Sequence, residues 1–177
     1  VITVLDTETT GLLEAVGTPL SIQPHMIEIC AIQFDDNGEV ASKFESLIRP
    51  PIPIPDHIPK INGITNAMVA NSPTFPEVYR KIVEVFFGSH TVIAHNLTFD
   101  EGILINELKR IGKEYHFPYP PIKFCTVEQS MWVKGFRLKN NELYKIATGK
   151  EIDGAHRAKN DVLATYESYK WLLRQRR

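Results

Sequence analysis

The chain has 177 residues, 43% of them hydrophobic and 23% charged, and a formal net charge of −1. At this length about 70% of the unfolded surface can be buried, so disulfides are not required, and one domain over 1–177 is expected. No run approaches the ~20 apolar residues of a membrane span, no basic segment leads into an apolar run as in a signal peptide, and no four nitrogen or sulfur ligands have the spacing of a structural zinc site.

The two cysteines, Cys30 and Cys125, sit among apolar neighbours, and buried free thiols in a reducing cytoplasm are expected. The chain opens on Val1 rather than Met; a trimmed chain or a domain cut from a longer one is expected.

Val1-Ile2-Thr3-Val4-Leu5 is short, β-branched and mostly apolar, which predicts a buried central strand ending at Asp6. A polar loop punctuated by glycine should follow over 7–24. Strands are predicted over 26–34 and 40–48, joined by the turn Asp35-Asp36-Asn37-Gly38 and therefore antiparallel. The proline-rich stretch 49–59 can be neither helix nor central strand. Thr74 and Glu77 have capping-box spacing and open a helix that stops at Gly88. A fourth strand is predicted over 91–94. Ile103, Leu104, Leu108 and Ile111 share one face of a helix over 99–111, ended by Gly112. A short strand over 122–124, helices over 126–133 and 142–147, and a last helix over about 158–173 complete the chain. This order predicts an α/β fold: a mixed five-stranded sheet, three antiparallel strands and then alternating helix and strand, flanked by helices. Sites in such sheets form beside the carboxyl ends of the parallel strands.

Asp6-Thr7-Glu8 lies at the end of the first strand. Side chains at i and i+2 of a strand face one way, so Asp6 and Glu8 can converge. Their charges repel unless a cation lies between them, and hard oxygen ligands suit Mg²⁺ or Mn²⁺. Taken alone, the segment has a polar strand-to-loop turn, with Asp6 bonded to local amides, as its alternative. A second piece, His95-Asn96-Leu97-Thr98-Phe99-Asp100, lies between the fourth strand and the next helix. There Asp100 alone reads as a helix-start carboxylate, and His95 and Asn96 as loop hydrogen-bonders. The third piece runs from His156 to Asp161. Five residues along a helix rotate about 500°, leaving the two side chains roughly 140° apart. They converge only if His156 sits on the loop before the helix, a turn that Gly154 makes accessible. A histidine placed there could take a proton from water.

In this order the three segments resemble the DEDDh exonucleases, the group that includes the proofreading epsilon subunit of bacterial DNA polymerase III. Met26-Ile27-Glu28-Ile29-Cys30-Ala31 and Ile61-Asn62-Gly63-Ile64-Thr65 look like secondary features of that family. The resemblance implies a ribonuclease H-like fold and a two-metal phosphodiester hydrolase acting at the 3′ end of single-stranded nucleic acid, DNA before RNA, and releasing nucleoside monophosphates. It implies that Asp6, Glu8, Asp100 and Asp161 hold two Mg²⁺ or Mn²⁺ ions and that His156 is the general base, with activity falling below about pH 6.5. It also implies contacts of Thr9 with the terminal sugar, of Leu12, Ile64 and Phe99 with the last bases, and of Asn96 with the substrate or the residues around it. Core packing is the alternative for Leu12, Ile64 and Phe99.

Two departures stand out. Asn62 occupies a position where the family often has His, and the segment 131–145 is basic and aromatic, with Trp132 and Phe136, where epsilon subunits are apolar and proline-marked. A DNA polymerase is the protein partner the resemblance suggests; no membrane partner is expected, and the oligomeric state is not legible. The near-zero charge speaks against a broad basic footprint on nucleic acid, yet a grip on a few terminal nucleotides needs few phosphate contacts, and bound cations would cancel the carboxylates. Lys134, Arg137, Lys139 and Lys145, and the terminal Arg174-Gln175-Arg176-Arg177, are local basic segments or solvated surface. Competing readings are a short-RNA exonuclease of the same chemistry, a silent nucleic-acid-binding domain, and an endonuclease of the wider ribonuclease H-like group.

Overall fold

The computed structural model describes residues 1–175; Arg176 and Arg177, part of the terminal basic segment, lie outside the described residues. Strands β1 (Ile2–Thr9), β2 (Met26–Phe34), β3 (Val40–Leu47), β4 (Thr91–Ala94) and β5 (Ile122–Cys125) form one sheet in the order β3-β2-β1-β4-β5. The first three pair antiparallel, while β4 pairs parallel to both β1 and β5. The expected mixed sheet is formed. The carboxyl ends of β1 and β4 therefore open on the same edge.

β1 runs further than its hydropathy suggests. Thr7, Glu8 and Thr9 continue the ladder opposite Ile29, Glu28 and Met26, with a register shift between Glu8 and Thr9. Backbone pairing holds these polar residues in the sheet, because the ladder uses main-chain groups that every residue supplies.

β2 is buried at all nine positions, as a strand covered on both faces must be. On one face Leu5, Ile29, Ala31 and Val92 pack with Ile82 and Phe86 of α3 (Phe75–Phe86) and Ile103, Leu104 and Leu108 of α4 (Leu97–Arg110). On the other, Val4, Cys30, Ile32 and Ile93 meet Leu143 of α7 (Asn140–Thr148) and Val162, Tyr166 and Leu172 of α8 (Ala158–Gln175). Cys30 and Cys125 are free and buried.

Several boundaries differ from expectation. Two one-turn helices, α1 (Pro59–Asn62) and α2 (Asn66–Val69), occupy a stretch with no helical periodicity; four residues are too few to show one. The expected helix over 126–133 is broken into α5 (Thr126–Gln129) and α6 (Met131–Lys134) at Ser130, whose hydroxyl donates to the Val127 carbonyl at 3.1 Å. α3 opens as expected: Glu77 Oε2 accepts from both the amide and the hydroxyl of Thr74 at 2.7 Å. α4 starts at Leu97, two residues before the expected Phe99, because Asn96 takes a left-handed conformation (φ 70°) as its cap. Among the described residues no helix is long and apolar enough to cross a membrane.

Candidate active site

Asp6 and Glu8 project from the end of β1 on the face covered by α8, and Asp161 enters from the first turn of that helix. One ligand oxygen from each lies within 4.8 Å of the others. The i, i+2 convergence expected of Asp6 and Glu8 is present, and α8 brings Asp161 to meet them. These residues line an open cleft of about 430 Å³ together with His95, Asn96, Arg137 and His156.

Asp100 sits deeper, 3% exposed, on the helix that covers the opposite face. Its Oδ1 accepts from the Thr7 amide at 2.9 Å and the Thr7 hydroxyl at 2.8 Å. It stands outside the group of three carboxylates that approach within 4.8 Å. It is nevertheless close enough to Asp6 to be the strongest charge acting on it.

The electrostatics of the cluster are those of crowded, half-dry carboxylates. Burial, and then the charges of Asp100, Asp161 and Glu8, push Asp6 well above the usual carboxylate range. Burial lifts Glu8 to about 7 against the lowering hydrogen bond from Asn62. Burial lifts Asp100 to about 7 as well, against the two bonds from Thr7. Asp161 is raised by burial and partly relieved by Asn140 and the His156 amide. Left alone, the cluster would hold protons near neutral pH. A divalent cation between the oxygens removes the repulsion, and an all-carboxylate donor set suits a hard ion of the Mg²⁺ or Mn²⁺ type. The residues present fit such a metal.

His156 lies on the loop before α8, as its convergence with Asp161 requires. Its backbone is left-handed (φ 67°), and its amide donates to Asp161 Oδ2 at 2.8 Å. Its side chain is exposed. Asn96 and His156 are the two non-glycine residues with positive φ among the described residues, and both line the cleft. Strained backbone of this kind gathers at functional sites.

Four supporting residues escaped the sequence reading. Asn140 Nδ2 donates to Asp161 Oδ1 at 3.1 Å and to the Asp161 carbonyl at 3.2 Å. Asn62, placed in a secondary family segment and noted as a departure there but given no role, donates to Glu8 Oε2 at 3.1 Å and accepts from the Ile64 amide. Glu28, 3% exposed and opposite Glu8 in the ladder, binds the Arg157 guanidinium at 2.7 Å and accepts from the Ala158 amide at 3.1 Å. A lone carboxylate in the apolar run Met26–Ile32 was the available signal, since a buried charge requires a partner.

His95 is half-buried, and the desolvation of its ring lowers it to about 4, so it is neutral at ordinary pH. Its Nε2 lies 3.0 Å from the Leu138 carbonyl and its Nδ1 2.9 Å from the Thr126 hydroxyl. A carbonyl can only accept, so Nε2 carries the proton. The neighbouring Asn96 Oδ1 accepts from Arg137 at 2.7 Å.

The expected substrate contacts divide. Leu12 is 81% exposed, and Phe99 is half-buried against the core below α4. The Thr9 hydroxyl is engaged with the Gly11 carbonyl at 2.6 Å. Ile64 takes the core-packing alternative: it is fully buried with Ile27, Ile54, Ile58 and Val69. That small apolar cluster beneath α1 and α2 takes its side chain away from the cleft.

The RNase T-type exonuclease family matches residues 3–169 of this chain. The DNA polymerase III epsilon subunit of Aquifex aeolicus is 32% identical over 166 residues, covering 92% of this chain and 78% of that protein. The PolC-type DNA polymerase III of Clostridium perfringens is 31% identical over 172 residues, which is 97% of this chain but 11% of that protein. Among solved structures, exonuclease X in complex with 5′-overhanging duplex DNA superposes with a TM-score of 0.66 at 24% identity, covering 99% of this chain and 92% of the other. The nuclease domain of 3′hExo, a DEDDh family member bound to rAMP, gives 0.70 at 18% identity, covering 98% and 92%. The two structural likenesses bear on the fold, which is that of the ribonuclease H-like exonucleases; the family match and the epsilon subunit bear on the chemistry. The chain belongs to the DEDDh 3′→5′ exonuclease family of phosphodiester hydrolases.

Proposed function

We propose that this chain is a single exonuclease domain that removes nucleoside monophosphates from the 3′ end of single-stranded DNA. The observation that carries this reading is the meeting of Asp6, Glu8 and Asp161 at the end of β1, beside the loop of His156. Asp6, Glu8, Asp100 and Asp161 would hold two Mg²⁺ or Mn²⁺ ions, with Thr7 fixing the Asp100 carboxylate through its Oδ1. When bound, such ions polarise the phosphodiester and make the attacking water more acidic. His156, exposed on the cleft, accepts the proton of that water. Leu12 and Phe99 border the terminal base, and Thr9 offers its backbone to the terminal sugar.

Similarity to epsilon subunits supports a proofreading or related DNA-trimming task, a DNA polymerase as partner, and the cytoplasm as the compartment. The 3′hExo likeness, solved with rAMP, favours including RNA in the test. The experiment is digestion of matched 5′-labelled single-stranded DNA and RNA with Mg²⁺, alongside Asp6→Ala. A ladder shortening from the 3′ end, faster on DNA and lost with chelator and in the variant, is expected. Efficient cleavage of a 3′-blocked or circular strand would make the protein an endonuclease, and a faster RNA ladder would reassign the substrate.

A further inference from the structure

Arg137 stands apart from the acidic cluster whose cleft it shares. It lines that cleft beside Asp6, Glu8 and Asp161, yet it makes no ion pair among the described residues. Its hydrogen bond is to the neutral side-chain oxygen of Asn96, at 2.7 Å. An arginine so near several carboxylates ordinarily pairs with one of them. Here its partner is Asn96 instead, in an arrangement where two consecutive residues fix two consecutive residues. Asn96 adopts φ 70°, a conformation costly for a residue other than glycine, and presents its Oδ1 to Arg137. His95, itself tied to Thr126, fixes the next carbonyl, that of Leu138, at 3.0 Å. Asn96 engages one terminal nitrogen and leaves the rest of the planar donor fork for an anion. That fork matches phosphate geometry better than an ammonium does.

We infer that Arg137 binds the phosphate immediately upstream of the scissile one, with Asn96 and His95 as the residues that position it. The inference rests on the exonuclease reading, and the chemistry of a 3′ end selects the phosphate. The scissile phosphate belongs at the carboxylates, which Arg137 does not touch. Beyond it lies only the terminal nucleoside with its free hydroxyl, which carries no phosphate. Any further phosphate within reach is therefore upstream. A cation at that point also offsets the repulsion that the acidic cluster exerts on an approaching strand.

Two dinucleotides isolate the contact. TpT has only the scissile phosphate, whereas pTpT adds one at the upstream position. The readout is the ratio of their kcat/KM values with Mg²⁺, which is insensitive to the fraction of active enzyme. The native chain should prefer pTpT by about tenfold, the size of one charge-assisted contact. The ratio should fall towards one in Arg137→Ala and to an intermediate value in Arg137→Lys and in Asn96→Gly, which keeps the left-handed backbone and removes the side-chain oxygen. A native ratio near one, or a ratio unchanged in Arg137→Ala, would overturn the inference while leaving the exonuclease intact. Failure of the native chain to cleave either dinucleotide or a longer strand would instead remove the exonuclease reading on which the inference stands.

Discussion

The Arg157 guanidinium clasps the Glu28 carboxylate through Nε at 3.1 Å and a terminal nitrogen at 2.7 Å, tying the loop before α8 to the middle of the sheet. That loop carries His156 one residue earlier, and Asp161 follows four residues later. Arg157→Ala would leave the 3%-exposed Glu28 charge without its partner, a change that typically costs about 3–5 kcal/mol for a buried pair; the half-exposed Arg157 makes about half of that the better expectation. Glu28→Gln keeps an acceptor for the Ala158 amide and should cost less. Both variants should lower kcat more than they raise KM, because the pair places His156 and touches no substrate. Thermal unfolding together with steady-state kinetics on a labelled strand checks this. A variant with a normal kcat and a lowered Tm would make the pair purely structural.

Carboxylates raised by burial and by each other make the metal-free fold pH-sensitive in an unusual direction. Glu8 and Asp100 stand near 7 in the fold and near the ordinary 4–4.5 when unfolded. Between those values the folded chain binds more protons than the unfolded one, so stability falls as pH rises from about 4 through 7. Asp6→Asn removes one charge from the cluster. In the presence of chelator it should be more stable than the native chain at pH 8, by roughly 1–3 kcal/mol, with the difference shrinking towards pH 5. Mg²⁺ should raise the native Tm most at the alkaline end. Denaturation at several pH values, with chelator and with Mg²⁺, measures both effects; an Asp6→Asn chain less stable than the native one at pH 8 would contradict the crowding.

Asn140 bridges α7 and α8 by donating to Asp161. Groups that orient a metal-binding carboxylate typically contribute 10–100-fold to metal affinity or activity. Asn140→Ala should shift the Mg²⁺ concentration for half-maximal activity upward by about that factor and restore most of the rate at saturating metal. Titrating Mg²⁺ against rate tests it. An unchanged midpoint with a depressed plateau would assign Asn140 to the fold alone.

Much of this architecture was written in local pattern. The apolar β-branched run at 1–5, the Asp-Asn-Gly hairpin turn and the Thr74–Glu77 capping box each act within a few residues, so the strands, the hairpin and α3 were legible in advance. The pairing of Asp6 with Glu8 was legible for the same reason, because i and i+2 share a face. What escaped depends on partners distant in sequence. Glu28 acquires its meaning from Arg157, 129 residues away, and Asn140 from Asp161. The burial of Ile64 follows from Ile27, Ile54, Ile58 and Val69, a cluster assembled by two helices too short to leave a periodic signature. The extension of β1 through Thr9 was hidden because polar residues kept in a ladder by main-chain bonds do not look like a strand.

The positive φ of His156 decides how its role should be tested. At φ 67° alanine would be strained, and that strain would disturb the amide that holds Asp161 Oδ2 at 2.8 Å. Asparagine tolerates the left-handed region far better and preserves the backbone bond while removing the imidazole. His156→Asn should therefore keep the Mg²⁺-dependent rise in Tm, since the carboxylate oxygens proposed to hold metal stay in place, and lose the 10²–10⁴-fold rate contribution of a general base. His156→Ala should lose both rate and some of the Mg²⁺ stabilisation. Raising the pH should return part of the His156→Asn activity, because hydroxide then substitutes for the missing base. A His156→Asn chain of near-native rate would show that the loop's task is to hold Asp161 and that the proton leaves by another route.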